Sequence, residues 1–157
     1  MILVSGCLCG INCKYDGGNN LNEKVLKLLQ EGKAIPVCPE QLGGQQTPRV
    51  AHEIIDGDGA KVLEGLARVK GTDVEDDVTE EFIKGAMETL NIAKAVEAHI
   101  AILKARSPSC GKGIIYDGTF SGNKRKGNGV TTELLLRNNI KVYTEEELDK
   151  FFLENNI

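Results

Sequence analysis

Most of the chemistry open to this 157-residue chain rests on five cysteines: Cys7, Cys9, Cys13, Cys38 and Cys110. Their odd number argues against a disulfide framework, and a chain of this length can build its own core without staples. That leaves a metal centre, catalysis or plain burial, since an unpaired thiol is also a good small hydrophobe. Local spacing does not decide among these. Cys7, Cys9 and Cys13 supply neither a C-x-x-C pair for a zinc ribbon or thioredoxin-type site nor the C-x2-C-x2-C run of a ferredoxin. His52 and His99 are the only histidines, which leaves a Cys/His zinc centre short of donors, and both are read as structural or exposed. Two cysteines have chemically useful neighbours. In Cys38-Pro39-Glu40 a carboxylate stands two positions from a thiol, where it could act as a general base. In Ser107-Pro108-Ser109-Cys110-Gly111 a thiol is flanked by hydroxyls and by residues that shape turns.

These groups can act together only if the fold gathers them. Met1 to Ser5 reads as a short buried strand, Leu21 to Glu31 as an amphipathic helix stopped by Gly32, and Ala34 to Val37 as a second strand ended by Pro39. Between Gly43 and Gly71 the helical period disappears. The runs Val50 to Ile55, Ala60 to Leu63 and Leu66 to Val69 read as small strands or loops, with a hairpin among them. The spacing of Phe82, Ile83, Ala86, Met87, Leu90 and Ala93 predicts a helix entered at Asp77 and Glu80 and running to about Ala98. Ile100 to Leu103 is a third buried strand, followed by a long loop from Lys104 to Asn128. A helix at Val130 to Arg137, a strand at Lys141 to Tyr143 and a last helix capped by Thr144 with Glu147 complete the chain. Short apolar strands alternating with helices predict an α/β fold. The expected form is a three-layer sandwich with a mostly parallel, Rossmann-like sheet and helices on both faces. Ligands of such sheets bind outside the carboxyl ends of the strands. Cys7 follows the first strand, Cys38 the second, and Cys110 lies in the loop after the third, so the topology brings these three to one edge.

Composition narrows the partners. The formal net charge of -4 does not suit a phosphate-backbone binder, so nucleic acid is not an expected partner. No apolar run approaches the 18 residues of a membrane span. One cytoplasmic domain over residues 1–157 is expected. The sequence has no G-x-x-x-x-G-K-[ST], and Gly57-Asp58-Gly59 does not extend to G-x-G-x-x-G. Lys124, Arg125 and Lys126 precede a helix start and read either as an anion site or as a solvated loop tip.

The run Val4 to Gly18 (VSGCLCGINCKYDGG) is followed by Pro36 to Gly44 (PVCPEQLGG) with Thr47-Pro48-Arg49. Then come Leu103 to Gly111 (LKARSPSCG), Ile115 to Gly122 (IYDGTFSG) and Gly127 to Thr131 (GNGVT). In content and order these motifs resemble the bacterial thiouracil desulfurase family over nearly the whole chain. The resemblance implies a 4Fe-4S cluster held by three cysteines, with one iron open to substrate. Carried over residue by residue, the ligands are Cys7, Cys38 and Cys110, the same three that topology gathers. Cys9 stands where the family usually has an apolar residue, and Gly6 where it usually has Ala. Cys9 is therefore read as packing, and Cys13, which matches the family pattern, as a weaker ligand candidate. The implied reaction is non-redox desulfuration of a small-molecule thiolated nucleobase, 2-thiouracil to uracil plus hydrogen sulfide. Glu40 would activate water, and Ser107 or Ser109 would relay a proton or hold the ring. Lys14, Tyr15, Asp16 and Lys104 would line the pocket, with Lys14 and Asp16 also able to form a structural ion pair. The rival expectations are a metal or cluster carrier without turnover, and a domain of other purpose in which all five thiols are packing.

Overall fold

The computed structural model describes residues 1–73 and 75–157. Four parallel strands form the central sheet: β1 (Ile2–Ser5), β2 (Ala34–Val37), β5 (Ile100–Leu103) and β8 (Lys141–Thr144), in the order β2-β1-β5-β8. Strand side chains alternate between faces, and the core divides accordingly. Ile2, Val4, Ile102 and Tyr143 point to one layer, where they meet Val25 and Leu28 of α1 (Glu23–Gln30) and Leu148 and Phe151 of α6 (Leu148–Asn155). Leu3, Ala101, Leu103 and Val142 point to the other layer. There they meet Leu90 and Ala93 of α4 (Thr79–Ala95) and Leu135 of α5 (Val130–Arg137). This is the expected sandwich, with a parallel sheet covered on both faces. Pro36 is tolerated because β2 is an edge strand, where a missing N–H breaks no ladder.

Several local expectations are corrected. The first helix begins at Glu23, because the Asn22 side chain accepts from the amides of Lys24 and Val25 at 3.0 and 3.3 Å. Ala60 to Leu63 is not a strand or loop but part of α3 (Gly59–Leu63), whose first turn is capped by Asp58 accepting from the Lys61 amide. It connects β3 (Glu53–Ile55) to β4 (Arg68–Lys70), an antiparallel pair that packs Ile54 and Val69 against Phe82 and Ala86 of α4. Helix α4 ends at Ala95, short of Ala98. The long loop after β5 contains its own antiparallel pair, β6 (Ile114–Tyr116) and β7 (Lys124–Lys126), so Lys124, Arg125 and Lys126 form an exposed strand and not a loop tip. No helix among the described residues is long and apolar enough to cross a membrane.

Candidate active site

The order β2-β1-β5-β8 reverses direction at β1. From there the chain first winds outward to β2, then returns to place β5 on the opposite side. At such a switch point the loops leaving the two central strands separate and open a crevice at the carboxyl ends. The crevice here is a cavity of about 420 Å³, within the range of small-ligand sites. Cys7, Cys38 and Cys110 all line it, and so does Cys13.

Each sulfur is fixed by its local backbone. After β1 the chain makes one 3-10 turn, Gly6–Cys9, closed by Gly10 in the left-handed region at φ 83°. The Cys7 carbonyl then accepts from the amides of Gly10 and Asn20 at 3.3 and 2.9 Å. Cys38 is held extended by the proline that follows it, and Pro39 opens the short helix α2 (Pro39–Leu42), which puts Glu40 in the first turn. That helix lies so close to α4 that a Cβ on Gly85 would stand 1.9 Å from the Pro39 carbonyl oxygen. The Cys110 loop is clamped to the start of α5. Val130 donates to the Pro108 carbonyl at 2.9 Å, Thr131 to that of Ser109 at 2.9 Å, and the Thr132 hydroxyl to that of Cys110 at 2.7 Å. The free amides of the helix start are thus spent on loop carbonyls, and the proposed anion site beside Lys124–Lys126 is closed.

The thiols are electrostatically unequal. Hydrogen bonding from Cys13 holds Cys38 down at about 7 and also lowers Cys7, while Cys13 itself is pushed far up because it keeps the shared proton. Burial pushes the Cys110 thiol up to about 12, against the opposing effect of hydroxyls from Ser5 and Ser109, each 3.6 Å from its sulfur. Cys9 lies outside the cavity, in the apolar layer with α1. A single tetrahedral ion needs its sulfur donors about 2.3 Å from one point. Among the described residues no three His, Cys, Asp or Glu side chains are so placed. Thiols brought to one cavity fit an iron-sulfur group, whose irons are separately ligated by cysteine sulfurs.

Beside the thiols runs a chain of hydrogen-bonded polar side chains. The hydroxyls of Ser107 and Ser109 are 3.1 Å apart, and Ser109 donates to Glu40 Oε2 at 2.9 Å. The other oxygen, Oε1, accepts from Arg49 Nε at 3.1 Å. Arg49 was visible in the sequence only as part of a quoted motif and carried no assigned role. It also donates to the carbonyls of Gln46 and Cys13 and to the Thr47 hydroxyl, all at 3.0 Å. Lys14, Tyr15 and Lys104 line the cavity, with Lys104 committed to Glu145 and to the Ala105 carbonyl. Asp16 does not line it. Its carboxylate accepts from the Gly18 amide at 2.9 Å, which holds it below its ordinary range, and pairs with Lys14 at 3.5 Å. Ser5, Asn20, His52, Glu53, Arg106 and Tyr116 also line the cavity without having been singled out as site residues; their sequence context carries no spacing that marks them.

The chain is 51% identical over 149 residues to the uncharacterized protein YbbK of Bacillus subtilis (strain 168), covering 95% of this chain and 98% of that protein. Its fold is similar to the solved structure of a 4Fe-4S-dependent thiouracil desulfidase, TudS, with a TM-score of 0.85 and 37% identity; the match covers 98% of this chain and 95% of that one. Residues 2–147 match the family described as 2-thiouracil desulfurase, and the chain belongs to that family.

Proposed function

We propose that this protein is an iron-sulfur-dependent enzyme that desulfurates a thiolated nucleobase such as 2-thiouracil. In this reaction water replaces sulfur: thiouracil plus water gives uracil plus hydrogen sulfide, with no electrons gained or lost. The observation that carries the proposal is the convergence of Cys7, Cys38 and Cys110 on one cavity beside the hydrogen-bonded chain Ser107, Ser109, Glu40 and Arg49. A cluster carrier would need the sulfurs but not the proton relay. The three cysteines would hold a 4Fe-4S cluster with one iron left open, and Cys13 would stay a protonated neighbour. When bound, the cluster supplies a thiophilic Lewis acid that polarises the thiocarbonyl.

The chain's own residues handle the proton. Glu40 sits in the first helical turn after Cys38, fixed from one side by Arg49 and from the other by Ser109. That leaves it oriented to take a proton from water at the cavity wall, with the two serine hydroxyls as the exit path. Tyr15 and Tyr116 bring aromatic rings to the cavity on which a planar base would stack, and Lys14 Nζ lies over the Tyr15 ring, 5.6 Å from its centroid. Five unpaired thiols support a reducing, cytoplasmic setting. The test is anaerobic reconstitution with iron and sulfide, followed by measurement of iron per chain and of sulfide released from 2-thiouracil. Glu40→Gln is expected to keep its iron and lose turnover by roughly 10² to 10⁴-fold, the usual contribution of a general base. Undiminished turnover would remove Glu40 from the mechanism, and a colourless parent protein would end the proposal.

A further inference from the structure

Ser5 is a polar side chain at the buried end of an otherwise apolar strand. It is the last residue of β1, only 3% exposed, and by strand alternation it shares a face of the sheet with Leu3. Cys110 is buried in that same layer. The Ser5 hydroxyl oxygen accepts from the Lys104 amide at 2.9 Å, one residue past the end of β5, and the hydroxyl donates to the Cys110 sulfur at 3.6 Å. Strand ladder and sulfur are thus joined through one side chain.

A serine hydroxyl has one proton to give. Ser109 also stands 3.6 Å from the Cys110 sulfur, but its proton goes to Glu40 Oε2 at 2.9 Å, the shorter bond and one to a carboxylate that can only accept. Ser107 is turned to Ser109 and accepts from the Cys110 amide at 2.8 Å. Among the described residues, Ser5 is therefore the hydroxyl whose proton serves the Cys110 sulfur, and it lies outside the Ser107, Ser109 and Glu40 relay. A ligand sulfur carries negative charge, and burying that charge is unfavourable unless a donor meets it. Hydrogen bonds to sulfur are also one of the means by which a protein sets the reduction potential of an iron-sulfur cluster. We propose that Ser5 is the positioning residue for Cys110 as a ligand: its hydroxyl steadies the sulfur and draws charge from it, so that the cluster is held more firmly and is more easily reduced than without the bond. The inference rests on the iron-sulfur function proposed above and deepens it with a residue that acts through Cys110 and not on the substrate.

Two readouts on the anaerobically reconstituted full chain test this: the midpoint potential of the cluster by spectroelectrochemical titration, and the rate at which iron passes to an added chelator. Ser5→Ala is expected to move the midpoint to a more negative value and to speed iron loss roughly three- to tenfold, the effect of losing one buried hydrogen bond. Ser5→Thr and Ser5→Val introduce β-branched side chains of like shape that differ in the hydroxyl. Ser5→Thr is expected to stay close to the parent and Ser5→Val to follow Ser5→Ala; this pair decides where Ser5→Ala takes up no iron. Ser109→Ala is expected to lose turnover with the midpoint unmoved, because its proton serves Glu40. The role is overturned if Ser5→Ala keeps the midpoint and iron-loss rate of the parent, if Ser5→Thr and Ser5→Val shift alike, or if Ser109→Ala moves the midpoint as far as Ser5→Ala does. A parent that takes up no iron overturns the proposed function together with this role. A parent that holds iron and releases sulfide while Ser5→Ala and Ser5→Val are indifferent overturns the role of Ser5 alone.

Discussion

Arg49→Met tests whether the relay is held rigid by one buried cation. The Arg49 side chain is 6% exposed and that of Glu40 is 16%, so their pair is largely shielded from solvent screening. Methionine preserves the aliphatic stem and removes all four hydrogen bonds: those to Glu40, to the Thr47 hydroxyl and to the carbonyls of Gln46 and Cys13. Breaking a buried pair by deleting one partner costs about 3 to 5 kcal/mol, because the surviving charge stays desolvated. For a chain of this size that corresponds to a fall in melting temperature of roughly 6 to 20 °C. Glu40 retains only its bond from Ser109 and is free to turn, and a displacement near 1 Å in a catalytic group can cost about 10²-fold in rate. Arg49→Lys restores the charge but cannot span the four acceptors with one ammonium, so it should recover part of the stability and little of kcat. The assays are thermal unfolding by circular dichroism and sulfide release under anaerobic conditions. If Arg49→Met melts within about 2 °C of the parent, the pair is not the buried support argued here.

Other perturbations probe the sulfur wall. Cys7→Ser, Cys38→Ser and Cys110→Ser are each expected to lose stable iron, whereas Cys9→Ser and Cys13→Ser retain it; iron and visible absorbance per chain decide, and iron loss in Cys13→Ser alone would reassign the ligand set. In Gly129→Ala the new Cβ would stand 2.5 Å from the Ser109 carbonyl carbon and 2.8 Å from the Cys110 nitrogen. Overpacking of this kind costs about 1 to 3 kcal/mol, and it should also lower iron content, because the strain falls on a proposed ligand. Cluster-free protein treated with iodoacetamide at pH 7 should react first at Cys38, whose thiol is lowered to about 7, and not at Cys110, raised to about 12. The Cys38 rate should fall as pH drops below 7, because the thiolate is lost to protonation. Peptide mapping by mass spectrometry with Cys110 modified first would refute that ordering.

Much of the sheet edge was legible because strand ends are marked by covalent geometry. Gly6 ends β1, Pro39 ends β2, and the apolar run Ile100–Leu103 is unmistakable, so three cysteines could be placed at carboxyl ends without any contact information. The middle of the chain was less legible. Ala60 to Leu63 is too short to show a period, and its helix depends on Asp58 capping and on packing of Val62 beneath α5. The Lys124–Lys126 strand carries no apolar signal at all and exists only because β6 offers a partner. On the cavity wall, Arg49 and His52 bond partners distant in sequence: Glu40 and the Cys13 carbonyl for one, Asp76 for the other. A single sequence records the residue types but not which of them meet.

The same geometry ties the proposed proton relay to the sulfurs through the backbone. Glu40 is two residues from Cys38 on a helix whose first carbonyl is pressed against Gly85, and Ser109 is the direct neighbour of Cys110 in a loop clamped by the start of α5. The carboxylate and the hydroxyl then bond each other across the cavity at 2.9 Å, closing a bridge between the β2 and β5 loops. Arg49 extends that bridge to the carbonyl of Cys13 in the β1 loop. All three strand ends that carry the candidate ligands are therefore linked by the very groups that would move the proton. A backbone shift that misplaces one sulfur must also stretch the relay. Substitutions at Gly85 and Gly129, neither of which lines the cavity, should for this reason lower iron binding and turnover together, whereas Glu40→Gln, which keeps the helix and the acceptor for Arg49 but must reverse the Ser109 contact, should separate them.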